Sequence, residues 1–111
     1  MPVLFAGLVV SDLDRAIAFY RRVLDAEPDM RPNEREACWR LSDEAWVYVL
    51  AEPENAGRST ATVIVDRLDP LAAGLEARGI AIDSRVAVDG GMEKLEVLDP
   101  DGNRIGFGGP P

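Results

Sequence analysis

The sequence predicts an α+β fold built from two similar halves, and two observations carry this prediction. Apolar, β-branched stretches alternate with two stretches whose apolar residues recur at helical spacing, so both strands and helices are expected. The order then repeats: Val10 and Asp14 of the first half correspond to Val65 and Asp69 of the second, each 55 positions later. A half of this size cannot bury both faces of its own sheet, so we expect the halves to pack together in one domain.

The first half, residues 3–51, places one helix between strands. Ser11 or Asp12 provides a helix N-cap, and Pro28 and Pro32 interrupt regular structure after the helix. The predicted elements are a strand over 3–10, a helix over 13–24, and two strands over 36–41 and 45–51 around a turn at 42–44.

A linker over residues 52–58 leads to the second half, residues 59–108. Asp69 and Pro70 are typical of a helix start, and Gly79 is typical of a helix end. The closing turn contains three more residues than its counterpart in the first half, because Asp43 corresponds to Asp101 at an offset of 58. The predicted elements are a strand over 60–65, a short helix around 71–75, strands over 80–88, 93–98 and 104–107, and the turn at 99–103.

The composition excludes several kinds of chemistry. The 111 residues contain no histidine, which rules out an imidazole metal ligand, a histidine acid–base group and a Ser-His or Cys-His nucleophile pair. The single cysteine, Cys38, supports neither an internal disulfide nor a thiolate zinc site. An enzyme of this composition has to use carboxylates, Lys, Arg, Tyr or a borrowed cofactor, and we expect neither metal nor cofactor.

The charge and hydropathy of the sequence limit which binding partners and which cellular compartment are expected. The net charge is −8 and the basic residues form no cluster longer than Arg21-Arg22, so nucleic acid is not an expected partner. No apolar run approaches the roughly 20 residues of a membrane span, and the first residues lack the basic region of a signal peptide. A single cysteine suits a reducing compartment, so a cytoplasmic protein is expected.

Two motifs resemble those of a known superfamily. Residues 10–24, VSDLDRAIAFYRRVL, resemble the opening of vicinal-oxygen-chelate proteins, and residues 99–105, DPDGNRI, are similar to their closing hairpin. This superfamily includes glyoxalase I, bleomycin resistance proteins and extradiol dioxygenases. The resemblance implies two βαβββ modules in a curled mixed sheet with an open cleft. It also implies a homodimer, often with strands or modules exchanged.

The resemblance further implies where a divalent metal would be bound in the cleft. One ligand lies on the first strand and one on the last strand of each module, at positions that correspond here to Phe5, Tyr48, Thr60 and Gly106. Neither histidine nor glutamate occurs at any of them. Phe and Gly offer no side-chain donor, and neutral Tyr and Thr bind divalent ions weakly, so no metal is expected.

Alternation along the strands predicts which side chains line the cleft. Pairing Leu41 with Trp46 across the first turn places Trp39 opposite Tyr48, which gives one aromatic wall. These rings either contact a ligand or plug the cleft or an interface, and Phe5 is expected to act as a plug. In the second half, Glu96 beside Arg104 forms either a polar anchor pair or a solvated salt bridge. The complete set of expected ligand contacts is Phe5, Trp39, Trp46, Tyr48, Thr60, Thr62, Glu96, Arg104 and Gly106.

Three functions are consistent with these residues. The first is a metal-free binding protein resembling bleomycin resistance proteins, which would sequester a planar or cationic compound such as an antibiotic. The second is a cofactor-free isomerase or lyase, in which Glu96 or Glu93 acts as the base and Arg104 stabilises an enolate. The third is an interaction or regulatory module whose cleft is filled by its own aromatic residues.

Overall fold

The computed structural model describes residues 2–111, and its elements follow the order β-α-β-β-β twice. The first module contains β1 (Leu4–Val10), α1 (Leu13–Leu24), β2 (Met30–Asn33), β3 (Glu36–Ser42) and β4 (Ala45–Ala51). The second contains β5 (Thr60–Ile64), α2 (Leu68–Ala77), β6 (Ser84–Val88), β7 (Met92–Leu98) and β8 (Arg104–Gly109). The predicted α+β fold of two βαβββ modules is therefore confirmed.

Each module forms its own four-stranded sheet, and the two sheets do not close into one. The strand orders are β1-β4-β3-β2 and β5-β8-β7-β6, so β1 and β5 are edge strands. β1 runs parallel to β4 and β5 runs parallel to β8, while the other pairs are antiparallel. The two edges meet at one end, where the Val9 amide donates to Ser59 Oγ over 3.0 Å.

Three elements differ from the sequence prediction. The helix α2 begins at Leu68, before the predicted Asp69-Pro70 start, because the carbonyls of Pro110 and Pro111 accept hydrogen bonds from the Leu68 and Asp69 amides. The strand β6 begins at Ser84, later than the predicted residue 80. A short strand, β2, forms around Pro32, which an edge strand tolerates because its outer side needs no amide donor.

The buried apolar side chains of both modules form one core on the sides of the sheets that face the helices. The largest fully buried side chains are Trp39, Tyr20, Leu8, Leu68, Leu75, Leu95 and Ile105.

Neither helix in the described part of the chain is long and apolar enough to cross a membrane.

The turn between β7 and β8 fastens the second module to the first through a buried polar network. Tyr20 of α1 donates its hydroxyl proton to Asp99 Oδ2 over 2.8 Å, and the Asn103 side-chain amide donates to the same oxygen. Asn103 also donates to the Val9 carbonyl of β1 and accepts from the Ser59 amide. Burial, followed by the charge and hydrogen bond of Asp99, raises the pKa of Tyr20, so its hydroxyl remains a donor.

The same turn makes a second, partly exposed contact with the first module. Asp101 accepts hydrogen bonds from the Ser11 amide and hydroxyl and lies 3.3 Å from an Arg15 nitrogen. Desolvation alone would raise the pKa of Asp101, but the hydrogen bonds from Ser11 and the charge of Arg15 outweigh it and leave the pKa below its ordinary value. The β7–β8 turn therefore acts as an intermodule clamp, made of residues 99–103.

The corresponding turn of the first module forms no such clamp. It contains only Asp43 and Glu44 between its strands, and among the described residues neither bonds to the second module. An open groove of about 600 Å³ lies on that side, lined mainly by apolar residues of β1, β4, β5 and both helices. The longer turn of the second module thus lies where the two modules are joined, and the shorter turn of the first module lies where the groove between them is open.

Candidate functional site

The outer face of the first sheet, opposite the helices, carries a cluster of aromatic rings. Phe5 pairs with Trp46 across β1 and β4, and their rings stack with centroids 5.2 Å apart and an angle of 12° between planes. The ring of Tyr48 lies 6.5 Å from that of Phe5 at 59°. We call Phe5, Trp46 and Tyr48 the aromatic surface.

A glycine on β1 lets the Tyr48 ring lie against the strand. Gly7 pairs with Tyr48, and a Cβ at Gly7 would lie 2.5 Å from Tyr48 Cζ, well inside van der Waals contact. Phe5 is 44% exposed, so its ring is open to solvent and does not fill a cavity. The expectation that Phe5 acts as a plug is therefore not met within one chain.

Trp39 does not belong to this surface, and the predicted pairing with Tyr48 is wrong. The hairpin starts as expected, with Ser42 opposite Ala45, but a register shift between Arg40 and Ser42 then displaces β3 by one residue. Tyr48 consequently pairs with Cys38, and Trp39 pairs with Val47. A shift of one residue moves every side chain to the opposite face of the sheet, and this bulge is not visible in the alternation of the sequence.

The shift places Trp39 in the core and Cys38 on the outer face. Trp39 is buried, its indole nitrogen donates to the Ala26 carbonyl over 2.9 Å, and its ring packs against Tyr20. Cys38 is also buried, and that burial, reinforced by the charge of Glu36, raises the pKa of its thiol. A protonated, covered thiol is a poor nucleophile, so Cys38 has a packing role.

The outer face of the second sheet is polar. Strand pairing puts Thr60 beside Arg104, Thr62 beside Gly106, and Glu96 beside Gly106 on the other side. These are the faces that alternation predicted. The side chains of Thr60, Thr62 and Arg104 form no hydrogen bond or ion pair within the described part of the chain.

The expected pairing of Glu96 with Arg104 is not formed. The Glu96 carboxylate lies 3.6 Å from the Lys94 ammonium, while Arg104 is paired in register with Leu98. Glu93, the other suggested base, lies on the helix side of the sheet, where it accepts a 2.7 Å hydrogen bond from Arg85. Neither glutamate therefore forms the arrangement with Arg104 that an isomerase or lyase was predicted to use.

The residues at the family's metal positions do not fit a divalent ion. Phe5 presents a ring, Gly106 has no side chain, and Tyr48 and Thr60 offer only neutral hydroxyls. The described residues contain no group of three or more His, Cys, Asp or Glu side chains placed to share an ion. Divalent ions are held by several oxygen or nitrogen donors in one shell, and that donor set is missing from these positions.

The paired βαβββ modules define the class of fold, and comparison with known proteins defines the family. A family model described as the Glyoxalase/Bleomycin resistance protein/Dioxygenase superfamily matches residues 3–107. The chain belongs to this family. A search of curated proteins finds no match.

Solved structures of similar proteins cover the whole chain. A glyoxalase/bleomycin resistance protein from Catenulispora acidiphila is 40% identical, with 100% of both chains covered and a TM-score of 0.94. A bleomycin resistance determinant encoded on the transposon Tn5 is 18% identical, with 99% of this chain and 98% of that chain covered and a TM-score of 0.82. An antibiotic-binding protein from a Streptomyces species is 23% identical, with coverages of 100% and 97% and a TM-score of 0.77. The last two likenesses show the fold alone.

Two residues that shape the outer faces were not among the predicted contacts. Gly7 seats the Tyr48 ring, and Lys94 extends its side chain over Gly106. A glycine inside a strand often marks a close approach, so Gly7 and Gly106 were the available sequence signals. The side chain that lies over each glycine comes from a neighbouring strand, so the residues around the glycine do not predict it.

Proposed function

We propose that this protein binds a planar small molecule without a metal ion, holding it against the aromatic surface. The observation that supports this most directly is the accessible Phe5–Trp46 stack, with Tyr48 beside it, on the outer face of the first sheet. Planar ligands gain apolar contact and ring stacking on such a surface. Phe5 and Tyr48 also occupy positions where the family resemblance implies metal ligands.

The proposed role is sequestration of a compound such as an antibiotic. The names of two solved relatives, a bleomycin resistance determinant and an antibiotic-binding protein, agree with this role for the fold. A cationic group on the ligand would be attracted by the net charge of −8 and by the faces of the aromatic rings. The cytoplasm is the proposed location, in keeping with the single cysteine.

Titration of the protein with bleomycin and with planar aromatic compounds, in the presence of EDTA, tests this function. We expect saturable binding that quenches Trp46 fluorescence and raises the melting temperature. Trp46→Ala should weaken binding by about tenfold or more, as is usual for a central aromatic contact. The control Phe19→Leu removes a ring from α1 and should leave affinity unchanged. Equal affinity of wild type and Trp46→Ala would contradict the proposal.

We further propose that the protein acts as a homodimer whose copies meet along the free edges of β1 and β5. Leu4 at the start of β1 and Ile64 at the end of β5 are 67% and 71% exposed, and neither strand has a strand partner on its edge at that end. Exposed apolar edges of this kind are sites of strand association. The groove between the modules opens between the same two strands.

Light scattering with Ile64→Lys tests the dimer. The variant should be monomeric at concentrations where the wild type is dimeric. Val86→Lys, on the outer edge strand β6 and 54% exposed, is the matched control and should remain dimeric. A monomeric wild type, or dissociation by Val86→Lys alone, would refute this geometry.

A further inference from the structure

We infer that Lys94, Arg104 and Thr62 form a binding site for an anionic group of the ligand, a carboxylate or another planar oxyanion. This inference rests on the proposed small-molecule function, since it characterises the ligand of that function. It differs from the expectation based on net charge, which favours a cation. The reason lies in the local arrangement of side chains on the outer face of the second sheet.

The first element of the site is the path of the Lys94 side chain. Lys94 pairs in register with Gly108, but its stem leans along β8 toward the next outward-facing position. A Cβ at Gly106 would lie 3.0 Å from Lys94 Cε and 3.4 Å from Thr62 Oγ1. The lysine stem therefore lies over Gly106, in the space that the glycine leaves open, and Thr62 Oγ1 borders the same space.

The second element is the number of unsatisfied donors. The Lys94 ammonium lies 3.6 Å from Glu96 Oε2, which is longer than a hydrogen bond, so its protons are available to a second acceptor. The Thr62 hydroxyl and the Arg104 guanidinium have no partner among the described residues. Arg104 lies two residues from Gly106 on β8, a separation of about 7 Å along a strand. One ligand group can therefore reach both cations.

The third element is charge. Lys94 and Arg104 are positive and Glu96 is negative, so this patch carries a net charge of about +1 in a protein of net charge −8. Charges elsewhere on the surface are screened beyond about 8 Å at physiological ionic strength, so the local charge decides what binds here. An oxyanion accepts hydrogen bonds from an ammonium, a guanidinium and a hydroxyl at once.

The site thus places a lysine cation where the family resemblance implies metal ligands. Gly106 takes the place of a ligand on the last strand, and the lysine stem passes directly over it. A fixed ammonium can neutralise a ligand oxygen without any metal donor set. Gly106 leaves room for this path, because a Cβ at residue 106 would lie 3.0 Å from Lys94 Cε and the stem would have to shift by a few tenths of an ångström.

The test compares three probes of one shape: 2-naphthoate, 2-naphthylmethanol and 2-naphthylmethylamine, titrated by calorimetry. We expect 2-naphthoate to bind about tenfold or more tightly than the alcohol, because charge-assisted hydrogen bonds are strong, and to lose affinity as NaCl is raised. Lys94→Gln and Arg104→Gln should each reduce naphthoate affinity toward that of the alcohol, and should lower the affinity for the alcohol by much less. Arg67→Gln, which removes an exposed arginine before α2, is the control and should change nothing.

The outcomes separate this inference from the proposed function. If the alcohol and naphthoate bind equally, or if Lys94→Gln leaves naphthoate affinity within twofold, the anion site is wrong and the planar-ligand function stands. If Trp46→Ala has no effect while Arg104→Gln weakens naphthoate, the anion site stands and the aromatic surface is not the ligand contact. If none of the probes binds, both are overturned.

Discussion

Replacing Tyr20 with phenylalanine removes one hydrogen bond from the intermodule clamp and keeps the ring. The lost bond is the 2.8 Å contact from the buried hydroxyl to Asp99 Oδ2. A hydrogen bond to a charged group contributes about 1.5–3 kcal/mol. An unfolding entropy of about 2.1 cal/mol/K per residue gives roughly 0.23 kcal/mol/K for 111 residues. The expected decrease in melting temperature is therefore about 6–13 °C.

Differential scanning calorimetry measures this decrease directly, and the chain provides a matched control. Tyr48, the only other tyrosine, has a hydroxyl without a hydrogen bond in the described part of the chain. Tyr48→Phe should therefore change the free energy of unfolding by less than about 0.5 kcal/mol. A melting temperature of Tyr20→Phe equal to that of Tyr48→Phe would refute the idea that the Tyr20–Asp99 contact stabilises the module pair.

Three further predictions follow from the same contacts. Because the pKa of Asp101 is lowered in the folded protein, its contribution to stability is full above about pH 4–5 and is lost as the pH falls through the folded pKa. Asp101→Asn should therefore lower the urea midpoint of unfolding at pH 7 but much less at pH 3. The control Asp43→Asn should change the urea midpoint at neither pH. Gly57→Ala should lower the free energy of unfolding more than Gly90→Ala does. Both glycines have a positive φ, which costs about 1–2 kcal/mol for alanine. Only at Gly57 would the new Cβ also clash with a backbone carbonyl, that of Asp101. Ellman's reagent should label Cys38 at least about tenfold more slowly in native protein than in urea, and equal rates would contradict its burial.

Local sequence patterns were sufficient for most elements of the fold. Apolar spacing and the Asp12 cap define α1 over Leu13–Leu24, and the apolar alternation defines β4 over Ala45–Ala51, both as observed. These elements are predictable because their signals lie within a few neighbouring residues. The start of α2 was not, because its first amides are capped by Pro110 and Pro111, about 40 residues away.

The candidate site was predictable in its strands and faces but only partly in its contacts. Alternation places Phe5 on the cleft face of β1 and places Trp46 and Tyr48 together on one face of β4. The parallel pairing of β1 with β4 then brings the three rings together. Trp39 was placed on the wrong face because a bulge, which leaves no trace in the hydrophobic pattern, shifts β3 by one residue. Glu96 was assigned to Arg104, whereas the structure pairs it with Lys94.

The sequence by itself determined that this chain repeats one order of strands and helix in two halves, and that the positions matching the family's metal ligands lack donors. Both follow from residue identity and order, which no folding can change. Only the tertiary structure decided that the sheets remain separate, that Trp39 belongs to the core, and that Lys94 crosses Gly106. These depend on register and on side chains from distant strands meeting at one place. The intermodule clamp depends on both the sequence and the tertiary structure. The three extra residues of its turn are visible in the sequence, but the sequence does not show that the turn bonds to Tyr20 and Ser11.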